Sequence, residues 1–231
     1  MIKLILKDLY NIFTGKKRDR FKDVKKIINN DKPLIVDCGA NEGKVTDIFL
    51  KQYKNPTIHV IEPIPELAEK LKNKYASNSN IIVHQNAIGA ERRLIPFNIC
   101  SLKGASSPLK PTQQSIHYNK DRMNIVKTIE VEQVRLDEVL KDCDVDILKL
   151  DIQGYEIQAL LGMEKILNKI KIIVTEVAFI KLYENQPLFS DIDLFLSKRD
   201  FKLFNFYGLH TQPDGQLTSG DAVFLNQKIL V

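Results

Sequence analysis

The chain has 231 residues, of which 44% are hydrophobic and 27% charged, so it is long enough to bury one sizeable core as a soluble globular domain. No apolar run approaches the roughly 20 residues that span a bilayer, and the start lacks the basic, apolar and small-residue pattern of a signal peptide. The three cysteines have no C-x-x-C spacing and indicate neither a zinc motif nor a disulfide framework, and the cytoplasm is the expected location.

The formal charge of +5 is concentrated at the N-terminus, where residues 1–32 hold ten Lys or Arg against four Asp. Residues 1–13 place apolar side chains on one helical face, and a second helical repeat follows in residues 21–28. We expect residues 1–32 to form a basic amphipathic helical arm packed over a domain of residues 33–231. Contact with an anionic membrane surface or a partner protein is the alternative use of such an arm.

A nucleotide-binding βαβ unit begins after this arm. Leu34–Cys38 is an apolar run of strand length that breaks into a turn with glycines at Gly39 and Gly43, and a helical pattern follows in residues 44–52. The next apolar run ends on the carboxylate of Glu62. The turn therefore lies at a helix N-terminus and the acid at the tip of the second strand. An ionised carboxylate there accepts two hydrogen bonds from the vicinal hydroxyls of a ribose.

The glycine spacing favours a ribose ligand that carries no diphosphate. A dinucleotide loop needs a middle glycine for close approach to the pyrophosphate, and Asn41 stands at that place here. The acid Glu42 would also repel a diphosphate at close range. S-adenosylmethionine is the commonest cofactor of this kind, and we expect Asp37 to hold its ammonium group while the turn amides face its carboxylate. An ordinary βα turn is the alternative.

Strand and helix patterns alternate to the end of the chain, as a doubly wound α/β sheet requires. Strands are predicted near residues 34–38, 57–62, 81–85, 146–151, 170–176, 201–207 and 221–226. Later helices are predicted at residues 65–78, 154–167 and 188–199. Residues 92–135 interrupt the rhythm with two strand-like runs around a polar segment, where we expect substrate loops.

Ligands of an open α/β sheet bind outside the carboxyl ends of its strands. Five polar residues end predicted strands and should therefore share one edge of the sheet: Asp37, Glu62, Asn86, Asp151 and Glu176. Their four carboxylates should raise one another's pKa values, which suits a general base or a divalent cation.

A series of motifs resembles the FkbM-type methyltransferases. Residues 37–46 read Asp-Cys-Gly-Ala-Asn-Glu-Gly-Lys-Val-Thr, similar to the family's D-x-G-A-N-x-G-x-x-T motif. Further matches follow in the family's order at Glu62-Pro63, Asn86-Ala87-Ile88-Gly89, Ser106-Ser107, Leu136-Asp137-Glu138 and residues 148–156. The likeness covers about residues 33–227. Gln153 stands where the family often has glutamate, and Cys38 and Tyr155 are also less usual.

The resemblance implies a class I S-adenosylmethionine-dependent enzyme, in a family whose members are mostly O-methyltransferases of glycans and natural products. It implies a Rossmann-like α/β fold with a seven-stranded, mostly parallel sheet and an antiparallel last strand. The cofactor site would comprise Asp37, Gly39, Asn41, Gly43, Thr46, Glu62, Asn86, Ala87, Ser107 and Asp151.

Methyl transfer from a sulfonium is an in-line displacement, so the enzyme must align the acceptor oxygen and remove its proton. Asp151 is the first candidate for this role, Glu176 the second, and His210, in a predicted loop, the third. Lys149 is expected to pair with one of the acids, and Glu156 to fix the turn before its helix. Magnesium held by Asp151 and Glu176 is an alternative without a sequence motif.

The expected acceptor is a sugar hydroxyl in a glycan or a related small molecule, and Tyr183, Phe206 and Tyr207 are candidates for contact with its ring or for core packing. A nucleic-acid methyltransferase is the alternative. Base-amino methylation commonly uses an N/D-P-P-Y/F/W motif after the fourth strand, whereas residues 151–154 read Asp-Ile-Gln-Gly, so no nucleic-acid partner is expected. A non-catalytic module that keeps the fold and a homo-oligomer are further hypotheses.

Overall fold

The structure is a computed structural model that describes residues 18–119, 121–141 and 143–230. Its strands are β1 (Leu34–Cys38), β2 (Thr57–Ile61), β3 (Ile81–His84), β4 (Ala87–Ile88), β5 (Arg93–Cys100), β6 (Ile125–Val134), β7 (Val145–Leu150), β8 (Ile170–Ala178), β9 (Phe201–Thr211) and β10 (Leu217–Asn226). Its α-helices are α1 (Arg20–Ile27), α2 (Lys44–Gln52), α3 (Pro65–Tyr75), α4 (Gln113–Tyr118), α5 (Leu136–Leu140), α6 (Glu156–Leu161), α7 (Phe189–Ser197) and α8 (Gln227–Leu230).

Seven strands form the main sheet in the order β3-β2-β1-β7-β8-β10-β9. The pairings from β3 through β8 are parallel, whereas β10 pairs antiparallel with both β8 and β9. The predicted seven-stranded sheet with an antiparallel last strand is therefore confirmed. The strand order reverses between β1 and β7, and such a switch point opens a crevice at the carboxyl ends of the strands.

Alternating side chains of the strands build a core on each face of the sheet. Ile35 and Ile147 face a cluster that includes Phe49 of α2. Val36 and Leu148 face the opposite cluster, to which α5, α6 and α7 contribute. β7 is buried along its whole length because both faces are covered. This double cover fixes the positions of the strand ends that form the cleft described below.

The interruption predicted at residues 92–135 is a second, three-stranded sheet in the order β4-β6-β5. β5 and β6 pair antiparallel, and β4 joins β6 in parallel. Its inner face packs Ile95, Phe97 and Val131 against Ile64 and Leu67 at the start of α3. The small sheet thus stands beside the carboxyl ends of β2 and β3.

The second helix predicted in the arm is α1, and it packs on the domain. Phe21 and Val24 are buried in the cluster that contains Phe49, whose ring meets the Phe21 ring edge-on at 5.0 Å. Residues 1–13 lie outside the described residues. The division into an arm of residues 1–32 and a domain of residues 33–231 therefore stays a prediction.

Some predicted boundaries were wrong. The helix predicted at residues 154–167 spans only Glu156–Leu161, and turns follow it from Gly162. Residue 162 must be glycine because a β-carbon there would lie 1.9 Å from the carbonyl oxygen of Gly89. The helix starting at Pro65 ends at Tyr75 rather than at residue 78. The last two strands are longer than predicted because β9 and β10 pair almost to the tip of their hairpin. Among the described residues, no helix is both long and apolar enough to cross a membrane.

Candidate active site

The turn after β1 lies directly against the end of β7. Asp151 N–H donates to the carbonyl oxygen of Cys38 over 3.2 Å. Gly39 has φ +75°, and a β-carbon there would lie 1.9 Å from the carbonyl oxygen of Asp151. Only glycine fits this position, because the backbone conformation and the close approach both exclude a side chain. The two chain segments flanking the switch point are thus locked together.

Asp37 stabilises this turn from inside the core. It is fully buried, with one carboxylate oxygen 3.1 Å from Lys149 Nζ and the other 2.7 Å from Thr46 Oγ1, which donates to it. Lys149 Nζ also donates to the carbonyl oxygens of Cys38 and Gly39. The predicted buried ion pair is present. Both carboxylate oxygens of Asp37 have partners inside the protein, and contact of Asp37 with a ligand stays a prediction.

Glu62 closes the other side of the turn. Its Oε2 accepts from Asn41 N–H at 2.8 Å and its Oε1 from Ile64 N–H at 3.0 Å. Burial raises the pKa of Glu62, and these two backbone donors with the nearby Lys149 oppose that rise. Asn41 lies in the left-handed region, with φ +51°. Each carboxylate oxygen accepts one hydrogen bond from the described residues, although a carboxylate oxygen has two lone pairs.

A cleft of about 540 Å³ opens at this switch point. Of the predicted site residues, Gly39, Asn41, Glu62, Asn86, Ala87 and Asp151 line it. Phe97 from the small sheet and Lys103, Gly104, Ser106 and Pro108 from the following loop line the same cleft. The small sheet and its loop therefore supply one wall, where substrate loops were expected. The predicted residues Asp37, Gly43, Thr46, Ser107, Glu176 and His210 do not line it.

Gln153 joins the two leading catalytic candidates. Its Nε2 donates to Asp151 Oδ1 at 2.7 Å and to Glu176 Oε2 at 2.8 Å. The Asp151 side chain is 40% exposed, and its Oδ2 lies 3.9 Å from Lys149 Nζ. Glu176 lies within β8, not at its end, and is only partly exposed. Its pKa is raised well above the usual range by burial and then by Asp151, Glu156 and Asp221.

Two buried hydroxyls hold the Gln153 turn in place. The Tyr183 hydroxyl lies 2.8 Å from Gln153 Oε1 and 2.9 Å from the carbonyl oxygen of Ala105, and its proton is shared between these acceptors. Ser107 Oγ donates to the carbonyl oxygen of Gln153. Burial raises the pKa of Tyr183, so it remains a neutral donor. The role of Tyr183 could not be read from the sequence, which only marked it as a candidate for ring contact.

Glu156 fixes the same turn, as predicted. Its Oε1 accepts from the N–H groups of Ile152 and Gly154, each at 3.2 Å. The turn needs this support because Gln153 and Gly154 both have positive φ, at +57° and +92°. The side chain is buried, which raises the pKa of Glu156 to about 7. The conformation that presents Gln153 is therefore maintained by a buried carboxyl group.

A further acid, Asp221 of β10, was missed in the sequence. It lies opposite Glu176 in the β8–β10 register and forms an ion pair with Arg20 of α1 at 2.8 Å. Burial raises the pKa of Asp221, and Arg20 opposes the rise. The signal in the sequence that could have indicated Asp221 is a charged residue directly before the apolar run of residues 222–225. The start of α1 thus reaches the group of acids next to the cleft.

Several candidates lie elsewhere than expected. His210 is an exposed residue of β9, not of a loop. Phe206 packs its ring against the rings of Phe179 and Phe189. Tyr207 is buried, and its hydroxyl donates to Asp23. Tyr207 is therefore part of the core, and Phe206 is partly buried against it.

The magnesium alternative finds no support in the geometry. Among the described residues, no three or more His, Cys, Asp or Glu side chains form a group that could hold a metal ion. Gln153 occupies the space between Asp151 and Glu176, and its Nε2 donates to both carboxylates. An amide nitrogen placed there satisfies the two acids by hydrogen bonds.

Comparison with known proteins indicates the family of this chain. A family model described as a methyltransferase FkbM domain matches residues 37–203. The 2-O-methyltransferase NoeI of Sinorhizobium fredii (strain NBRC 101917 / NGR234) is 25% identical over 184 residues, which cover 75% of each chain. Methyltransferase sdnD of Sordaria araneosa is 24% identical over 172 residues, which cover 64% of this chain and 66% of its own.

Among solved structures, protein PH1948 of Pyrococcus horikoshii superposes with a TM-score of 0.50 and 10% identity. The superposition covers 88% of this chain and 77% of that one. At this identity the likeness concerns the fold alone.

Proposed function

We propose that this chain, which belongs to the FkbM family of S-adenosylmethionine-dependent methyltransferases, methylates a hydroxyl oxygen of a sugar in a glycan or a related small molecule. The observation that carries the proposal is the half-exposed carboxylate of Asp151, which lines the same cleft as Glu62. The cleft thus combines an acid suited to a ribose with an acid suited to a hydroxyl proton.

The lining residues fit the cofactor that the family uses. Glu62 keeps one free lone pair on each oxygen for the two ribose hydroxyls, and Asn41, Asn86 and Ala87 line the same wall. When bound, S-adenosylmethionine supplies the electrophilic methyl group. Gly39 keeps the turn close to the end of β7, where Asp151 lies.

The chain's own contribution to the reaction is to orient a hydroxyl and to accept its proton. Gln153 holds Asp151 Oδ1, so the other oxygen, Oδ2, is the one that accepts the proton as the new carbon–oxygen bond forms. Glu176 and Tyr183 act through Gln153 and are positioning residues. A hydroxyl acceptor fits this arrangement because a single carboxylate removes its single proton.

One relative supports an oxygen acceptor. NoeI is named a 2-O-methyltransferase and is 25% identical to this chain. The test uses S-adenosylmethionine with a deuterated methyl group and a panel of neutral and charged oligosaccharides. We expect an acceptor-dependent mass increase of one labelled methyl group, and permethylation analysis should place that group on an oxygen. Transfer to RNA or DNA, or no transfer despite cofactor binding, would overturn the proposal.

A further inference from the structure

A second cleft lies beside the first and is larger, with a volume of about 1460 Å³ against about 540 Å³. Its walls are α6, α7 and the loop of residues 181–187 after β8. Tyr155 lines both clefts, and Gly154, directly after Gln153, lines the second. The second cleft therefore begins at the turn that presents the proposed catalytic residues.

Positive charge surrounds this second cleft. Four cationic side chains line it, namely Arg93, Lys181, Lys198 and Arg199. The one lining carboxylate, Asp191, accepts a hydrogen bond from the backbone N–H of Leu188 at the start of α7. This excess of positive charge is confined to the cleft, because residues 33–231 as a whole hold 24 Lys or Arg against 25 Asp or Glu. A cleft with this charge attracts an anionic ligand.

Two of these cations are available to a ligand. Arg93 pairs with Glu91, and Arg199 pairs with Glu164 and stacks on the Phe195 ring at 3.7 Å. In the described part of the chain, by contrast, Lys181 and Lys198 form no ion pair and are exposed. Because their ammonium groups carry no internal partner, a bound anion would supply one.

The remaining lining suits a saccharide. Leu194 is 56% exposed, and with Ile157 it offers an apolar surface to the C–H face of a sugar ring. The amide side chains of Gln158 and Asn185 line the same cleft and have no hydrogen-bond partner among the described residues. Each amide both donates and accepts, which matches sugar hydroxyls.

We propose that this second cleft binds an anionic saccharide, a part of the methyl acceptor that carries phosphate, carboxylate or sulfate groups. Lys181 and Lys198 contact the anionic groups, and Leu194 packs under a sugar ring. The proposal rests on the proposed O-methylation of a sugar, whose substrate class it narrows. It assigns to the second cleft the recognition of a sugar beyond the one that is methylated.

The test measures binding to the full chain saturated with S-adenosylhomocysteine, by titration calorimetry at low and at high salt. The probes form two pairs, each with a charged and a neutral member. The first pair is a galacturonic acid trimer and maltotriose, which are matched in length, and the second is glucose 6-phosphate and glucose. We expect the charged member of at least one pair to bind more tightly and to lose affinity with salt. Preference for the uronate or for the phosphate identifies the anionic group.

The double variant Lys181→Gln/Lys198→Gln should weaken binding of the charged probe roughly 3- to 30-fold, as expected for two exposed charge contacts. Binding of the neutral probes should not change. The control Lys51→Gln/Lys202→Gln removes the same charge from other exposed positions and should leave every affinity unchanged. Both substitutions are at the surface, so folding is retained.

Equal binding of charged and neutral probes, no binding of any probe, or no effect of the double variant would overturn this proposal. Tighter binding of a uridine tetranucleotide than of either charged sugar would also overturn it. The readout needs no turnover, so it is separate from the test of the proposed function. Methyl transfer to neutral sugars with an inert second cleft would contradict this inference alone.

Discussion

The two halves of the catalytic cleft hold their carboxylates in different ways. In the cofactor half, formed by residues 39–43 and Glu62, backbone N–H groups bind the acid. In the acceptor half, formed by Asp151 and Gln153, one side-chain amide holds Asp151 together with Glu176, which lies outside the lining. A site held by backbone is fixed by the fold, whereas a site held by a side chain is changed by one substitution. The cofactor half therefore suits a constant ligand and the acceptor half a variable one.

The largest effect is expected in the acceptor half, from Asp151→Asn. The change keeps volume but removes the proposed proton acceptor, so kcat should fall roughly 10²–10⁴-fold. The Kd of S-adenosylhomocysteine should stay within a few-fold, because the loss concerns the transition state. Single-turnover kinetics and calorimetry separate the two quantities. The control Asp144→Asn, at an exposed position before β7, should behave as wild type, and unchanged turnover in Asp151→Asn would remove Asp151 from the mechanism.

The next effect tests how rigidly the two halves are joined. Gly39→Ala places a β-carbon 1.9 Å from the carbonyl oxygen of Asp151 in a left-handed conformation, and it should lower the free energy of unfolding by roughly 3–5 kcal/mol. Gly215→Ala is the matched control, with φ +89° and open space around it, and should cost about 1–2 kcal/mol. Urea denaturation measures both. An equal decrease in the free energy of unfolding in both variants would show that the close approach of Gly39 to the end of β7 adds no cost.

The same contrast explains what the sequence could predict. The cofactor half could be predicted because Gly39, Gly43 and Glu62 stand at characteristic spacings within one βαβ unit. The carboxyl-end rule also located Asp151 and Glu176 on the correct side of the sheet. Tyr183 and Asp221 could not be assigned roles, because they reach Gln153 and Glu176 from elements far away in the chain. The contact of Asp221 depends on the register of β8 and β10, and that of Tyr183 on the loop after β8, so neither leaves a local pattern in the sequence.

The variant Glu156→Gln tests how Glu156 supports the Gln153 turn of the acceptor half, through the pH dependence of the free energy of unfolding. Burial raises the pKa of Glu156 to about 7 in the folded state, from an ordinary 4.5, so the unfolded chain releases this proton first. The wild type therefore loses stability as pH rises from about 4.5 towards 7, and the loss persists above that range. Glutamine keeps an oxygen for the N–H groups of Ile152 and Gly154 and does not ionise.

We therefore expect Glu156→Gln to match the wild type closely near pH 4.5 and to exceed it by roughly 3–4 kcal/mol at pH 8, at about 1.4 kcal/mol per pKa unit. Urea denaturation across this range measures the difference. A constant difference between the two proteins at all pH values would contradict the burial of an ionisable carboxyl group at this turn.

The smallest effect is expected in the cofactor half, from Glu62→Gln. The amide keeps one oxygen as an acceptor but replaces the other with a donor, which faces the N–H group of Asn41 or of Ile64. It also loses the charge that strengthens hydrogen bonds from the ribose hydroxyls. Cofactor affinity should therefore fall by about 1–3 kcal/mol. Turnover at saturating cofactor should change little, because Glu62 does not act on the acceptor.

The control Glu42→Gln alters an exposed acid of the same turn, paired with Lys44, and should keep cofactor affinity within about twofold, since exposed pairs contribute little. A loss of affinity in both variants would point to the charge of the turn as a whole, and unchanged affinity in Glu62→Gln would remove the ribose contact from the cofactor half.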